Sequence, residues 1–342
     1  MTRTRSTFIF LLAASAFLLP GAVSAPQASA NGPIIIRFAS LAPAGSGFMK
    51  ISKAWNRSVK KETNNRVELR FYSGGSQGDE RDFVRKMRAG QMDGAGISTT
   101  GLGMVARPVL VLTAPGLLTE YEQLTRARTE LNDRFTKMFK DAGFVLLNWG
   151  EAGKNRLFSA NAFTRPGDLK SFRPWAWKDD PVFAEFINVI GANPVRMGLP
   201  EVYGGLQTRM VDTVPASALA AVALQWYTRL KYMTTDNFNI MVGGGIVTQE
   251  KFDELSEQDQ KILLSASMRA SKANDALVRR DDARAYASLV TRGMIEVDTS
   301  PYKAEWDAVA KKARDNLAGR VYSKSLLEAV EKVVASSPQT PR

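Results

Sequence analysis

The sequence predicts an α/β protein of two units that meet at a cleft. Three observations carry this. Stretches with strand periodicity alternate with stretches of helical periodicity along the chain, the pattern of a sheet with helices on its faces. The length, 342 residues, suggests about two domains. The composition, 44% hydrophobic and 23% charged, is globular, with enough apolar residues for a core that needs no covalent staple.

The elements follow in order. Residues 34–40 are β-branched and apolar, as in an inner strand. Phe48, Ile51, Trp55 and Val59 recur at helical spacing and give residues 47–62 one apolar face. Asn64-Asn65 marks a turn, and residues 67–72 alternate with period two. Asp79 and Glu80 open a helix whose dipole they complement, with Phe83 and Met87 on its inner face. Residues 92–97 form a short third strand, 121–140 a helical stretch and 143–147 a buried strand.

The second part repeats the style. Trp175 and Trp177 alternate on one strand and share a face. Residues 182–190 carry a broad apolar helix stripe, stopped by Gly191-Ala192-Asn193-Pro194. A helix over 200–210 precedes a strand over 211–214. Residues 238–248 read as a long strand containing Gly243 to Gly245, a hinge or a tight crossing of the lobes. Ser256 caps a long charged helix reaching about Arg292. A strand over 294–297 and a helical end from Lys303 follow, with residues 326–342 expected to fray.

Residues 1–30 have the layout of a cleaved secretory signal. Arg3 and Arg5 precede an apolar run over 8–19, which Pro20-Gly21 breaks. Small-x-small sites follow at Val23-Ser24-Ala25 and Ala28-Ser29-Ala30. Pro26 would adjoin the first cut, so cleavage after Ala30 is expected. The run is too short to anchor in a ~30 Å hydrocarbon core. Export to the periplasm is therefore expected.

The chain has no cysteine and no histidine. Disulfides, a Cys nucleophile, a Ser-His-Asp triad and a His-ligated zinc site are excluded. The formal net charge is +12, and losing the signal removes two of those charges, Arg3 and Arg5. The remaining bases are spread out, with no basic stripe interleaved with aromatics, so no nucleic acid is expected as a partner.

Nearly the whole chain after residue 30 resembles the substrate-binding subunit of TRAP (tripartite ATP-independent periplasmic) transporters, the DctP-like family. The resemblance rests on the order and spacing of Arg37-Phe38-Ala39-Ser40-Leu41-Ala42-Pro43, Gly78-Asp79-Glu80-Arg81-Asp82, Pro166-Gly167-Asp168-Leu169-Lys170, Gly191-Ala192-Asn193-Pro194-Val195 and Leu255-Ser256-Glu257-Gln258-Asp259-Gln260. It implies a two-lobed periplasmic binding protein, each lobe a mostly parallel sheet flanked by helices. The ligand cleft lies between the lobes, and a long helix in the C-terminal half spans them. Lobe I would hold residues 31–152 with a return segment about 240–280. Lobe II would hold 153–239 with a return about 281–325. It also implies solute delivery to a small and a large membrane permease subunit, with no enzyme chemistry, cofactor or metal. A monomer is expected.

The family's ligand-clamping arginine is missing. Its position falls on Trp175 or Ala176, depending on the direction of counting, and Val214-Pro215-Ala216-Ser217 stands where the family has an asparagine. The sequence resembles a branch with a Trp-x-Trp segment and a Gln225-Trp226 pair. Trp149, Trp175, Trp177 and Trp226 fall in segments that line the family's cleft, although Trp149 and Trp226 suit a core equally well. Ser98, Thr99 and Thr100 follow the third strand, at the end of a sheet where α/β ligands bind. Arg156 is close to a second arginine position, as ligand contact or surface base. Gln225 and Pro215 complete the candidates, and Lys178, Asp179 and Asp180 rim the cleft or form a solvated turn. The expected ligand is apolar, aromatic or cationic rather than a small dicarboxylate. Two other readings stay open: an exported binding protein for sensing or for handing an apolar ligand to an accessory protein, and an exported hydrolase.

Overall fold

The structure is a computed structural model that describes residues 32–337. The expected signal peptide and the chain end from Pro338 lie outside the described residues. In order, the first elements are β1 (Ile34–Ser40), α1 (Gly47–Glu62), β2 (Val67–Tyr72), α2 (Glu80–Arg88), β3 (Gly94–Ser98), α3 (Thr99–Val105), α4 (Tyr121–Glu130) and α5 (Asn132–Asp141). Next come β4 (Phe144–Ser159), β5 (Trp175–Trp177), α6 (Pro181–Ile190), β6 (Val195–Met197), α7 (Val202–Gln207), β7 (Thr213–Ala216), α8 (Ala218–Ala223), β8 (Tyr232–Thr234) and β9 (Asn239–Thr248). The last are α9 (Gln249–Asp253), α10 (Glu257–Thr291), β10 (Ile295–Val297), α11 (Lys303–Leu317) and α12 (Lys324–Ala335).

The sheets are mixed, not mostly parallel as expected. The main strand order is β10-β8-β4-β9-β3-β1-β2, with β7 also on β4, and β5 and β6 form a small separate sheet. The parallel pairs lie at the flanks, β1 with β2 and β3 and β8 with β10. The antiparallel pairs lie at the centre, because β4 and β9 run side by side through the middle. Sequence periodicity reveals a strand but not its direction. It also understated β4, which runs to Ser159 through two register shifts near Asn148 and Gly153.

β4 joins the two lobes. Its first part pairs with β9, and its last residues, Arg156 to Ser159, pair with β7. Helix α10 spans the same divide. Near its start Leu263 and Ala266 pack with Ile36, Phe38 and Val247. Near its end Ala285 and Leu289 pack with Phe158, Trp175 and Met233. With 35 residues it is roughly 50 Å long. Ser256 caps it, and Arg66 holds the Asp259 carboxyl in its first turn below the usual carboxylate range.

The glycines of β9 mark a tight crossing. A Cβ on Gly243 would sit 2.3 Å from the Ile97 carbonyl oxygen, and one on Gly244 would sit 2.7 Å from that of Asn148. Only bare backbone fits between β3 and β4 there. The expected fray from residue 326 is also corrected. Helix α12 continues to Ala335, with Leu326, Leu327, Val330 and Val333 buried in the core it shares with Phe135 and Leu110.

A buried charge network fastens α4 and α10 to β4. The Glu151 carboxylate on β4 accepts from Arg128 at 2.9 Å and from Arg279 at 2.7 and 2.8 Å. Asp275 accepts from the Glu151 backbone N–H at 2.9 Å and from Arg128 at 3.2 Å. Removing Glu151 leaves Arg128 buried with less compensation, which costs far more than an exposed pair. Glu151→Ala should lower the unfolding free energy in urea by about 3–5 kcal/mol. A loss under about 1 kcal/mol, the range of surface pairs, would show that the network is not structural.

Candidate functional site

The site is assembled from strand ends of both lobes. Trp175 and Trp177 do share a face of β5, with ring centroids 5.9 Å apart. Trp226 meets Trp175 edge to face at 5.4 Å. All three are buried, at 3%, 9% and 3% exposure, within one apolar cluster. They also line a cavity of about 100 Å³. The rings therefore belong both to the apolar core and to the cavity wall. Ser98, Thr99, Thr100 and Pro215 line the same cavity. Four segments distant in sequence are therefore brought together.

The indole N–H groups are largely committed to protein. Trp175 Nε1 donates to the Met197 carbonyl at 3.0 Å, and Trp177 Nε1 donates to Asp79 at 2.9 Å. What these two present to the cavity is ring surface. The Ser98 and Thr99 hydroxyls are committed as well. The Ser98 hydroxyl donates to Glu80 at 2.7 Å, and the Thr99 hydroxyl donates to the Val242 carbonyl. Glu80 also accepts from the Ser98 and Gly101 backbone N–H groups, and burial pushes its carboxyl up to about 7.

Other expected residues are elsewhere. Trp149 lines a second, larger cavity of about 250 Å³ between the sheet, α1 and α10. It stands edge to face with Phe135 at 5.5 Å. Gln225, in a left-handed backbone conformation after α8, is exposed and lines neither cavity. Arg156 also lies away from the cavity. Strand alternation explains this: Asn155 faces the cavity, so its neighbour faces α10. There Arg156 lies 3.7 Å from Asp282 and over the Tyr286 ring at 4.6 Å.

Asn155, Asn239, Asp180, Phe183 and Phe238 also line the cavity and were not foreseen as contacts, except that Asp180 was weighed as rim. Asp180 accepts from the Val182 and Phe183 backbone N–H groups through Oδ1, capping α6 ahead of Pro181. An Asp before a Pro is an ordinary helix start. That signal marks a cap and gives no hint of the cavity. Asn155 and Asn239 sit within strands and carried no signal.

One carboxylate ties the lobes across the cleft. Asp79 caps α2 through Oδ1, accepting from the Glu80 N–H at 2.8 Å. Its Oδ2 accepts from Trp177 Nε1 and from the Leu199 N–H at 3.3 Å. Arg81, two residues on, pairs with Asp179. The N-terminal end of α2 therefore latches onto the β5–β6 region. Trp177→Phe keeps a ring and removes one charge-assisted hydrogen bond of the latch, worth about 1.5–3 kcal/mol. Hydrogen exchange over residues 175–200 should accelerate, the Leu199 amide included, while β1 to β3 stay protected. Unchanged exchange at Leu199 would show that Asp79 does not hold the lobes together.

Comparisons with known proteins bear on the fold and the family. The chain is 22% identical over 285 residues to the 2,3-diketo-L-gulonate-binding periplasmic protein YiaO of Escherichia coli, covering 82% of this chain and 87% of that one. A solved TRAP periplasmic solute-binding protein of Ralstonia eutropha, with bound (S)-2-acetolactate, has TM-score 0.83 at 22% identity and spans 89% of this chain and 99% of that chain. Another, of Chromohalobacter salexigens with bound D-glucuronate, has TM-score 0.82 at 20% identity, with 87% and 99% covered. No helix among the described residues is long and apolar enough to cross a membrane. The model for the bacterial extracellular solute-binding protein family 7 matches residues 38–320, and the chain belongs to that family.

Proposed function

We propose that this protein captures a small solute between its lobes and delivers it to the small and large membrane subunits of a TRAP transporter. The observation that carries the reading is the cavity of about 100 Å³ walled by Trp175, Trp177 and Trp226, with Thr99, Thr100 and Pro215 at strand and helix ends from both lobes. A cavity fed by both lobes couples ligand binding to closure, which a carrier requires. No covalent step, cofactor or metal is invoked, and no nucleic acid is a partner. The protein acts as a monomer in the periplasm after loss of residues 1–30. We take lobe I as residues 31–152 with the return about 240–280, and lobe II as 153–239 with the return about 281–325.

The solute is not a small dicarboxylate. In this reading the cavity wall holds indole faces where a clamp would hold a guanidinium, and Arg156 lies against Asp282 and Tyr286 instead. Of the candidates, Trp175, Trp177, Trp226, Ser98, Thr99, Thr100 and Pro215 are proposed as the contact surface. Trp149, Gln225 and Arg156 are not. Trp175 is so deeply packed that Trp175→Ala would cost about 3–5 kcal/mol of stability, so Trp175→Phe is the better probe.

Native mass spectrometry of protein purified without denaturation should show a small molecule held and released on unfolding. Adding that molecule back should raise the melting temperature by mass action, and Trp175→Phe should reduce the rise. Calorimetry with succinate and malate should show no binding at micromolar concentrations. Micromolar dicarboxylate binding would overturn the ligand assignment, and turnover of the bound molecule would overturn the carrier reading.

A further inference from the structure

The chain is strongly basic, yet no Lys or Arg lines the cavity between the lobes. Its one charged lining residue is Asp180. Asp180 Oδ1 is used in capping α6, while Oδ2 makes no hydrogen bond among the described residues. Arg196, a base beside it, is exposed and donates to the backbone carbonyls of Trp177, Lys178 and Asp180 rather than to this carboxylate. Burial raises the Asp180 carboxyl above its ordinary value, outweighing its two backbone N–H bonds and the attraction of Arg196.

A second acceptor belongs to a residue that lines the same cavity, for an independent reason. Asn239 Nδ2 donates to the Thr113 carbonyl at 2.8 Å, and a carbonyl can only accept, so the orientation of that amide is fixed. Its Oδ1 must then accept, which it does from Asn155 Nδ2 at 3.1 Å. That fixes the Asn155 amide in turn and leaves its Oδ1 buried with no partner. An unpaired buried acceptor is costly, and a ligand donor would satisfy it. The rings of Trp175, Trp177 and Trp226 add negative π faces, which attract cations.

We infer that the solute is a small organic cation bearing N–H donors, an ammonium or amidinium, held by Asp180 and Asn155 within the aromatic walls. This rests on the solute-capture reading above and narrows it. The site supplies one carboxylate oxygen, one amide oxygen and ring faces, and it offers an anion no counter-charge.

The test uses three probes of one skeleton on the full protein: neopentylamine, neopentyl alcohol and pivalate, which are cationic, neutral and anionic at neutral pH. Calorimetry should find the amine bound at least about tenfold more tightly than the alcohol, with pivalate silent. Asp180→Asn keeps a good helix cap and removes the charge. It should cut amine affinity about tenfold and the alcohol's far less. Equal binding of amine and alcohol, or no amine binding at millimolar concentration, overturns the inference. Pivalate bound with the amine silent overturns it too, yet leaves solute capture standing, since a small molecule would still be held. Failure of solute capture shows separately, as natively purified protein that releases no small molecule.

Discussion

The parity of one strand decides which side chains line the cavity. β4 runs from one lobe into the other, and past its second register shift, near Gly153, successive side chains face opposite ways. At the crossing, Asn155 faces the cavity and Arg156 faces α10, where Asp282 and Tyr286 receive it. A shift of one residue would exchange the two and place a guanidinium beside the tryptophans. The register is pinned by β9 on one side and β7 on the other, and by Glu151 in its net of arginines. The cavity's polarity is therefore a consequence of how the central strand is anchored.

The same strand explains the division of labour between rigidity and movement. β4 and α10 both run through the two lobes, so they are the elements able to transmit closure. The contacts that shut the cleft are of another kind. The Asp79 and Asp179 contacts are few, polar and at the rim, where a modest free energy decides between open and closed. Asp79 has two duties, capping a helix and bridging the lobes, so the start of α2 is firm when it reaches Trp177.

Much of the fold was legible in the sequence because local signals and burial agreed. The ends of β1, α1 and β2 follow from apolar periodicity bounded by a cap or a turn, as with Ser46 and Asn64-Asn65. The directions of β4 and β9 were not legible, since period-two alternation looks alike in parallel and antiparallel pairs. Nor was the tight crossing separable from a hinge, because a run of glycines suits both. For the site, the Trp175 and Trp177 pair was visible through its spacing. Asp180 was visible only as cleft rim or solvated turn and Asn155 not at all, because a cap and a strand amide look ordinary until distant segments close around them. Arg156 misled because a base in a strand reveals its face only when the register is known.

A crystal structure of the natively purified protein with its co-purified solute would test the central claim most directly. The account predicts ligand density between Trp175, Trp177 and Trp226, touching Asp180 and Asn155, with Arg156 still on Asp282. Density outside this cavity, or Arg156 turned inward to pair with a ligand carboxylate, would contradict it.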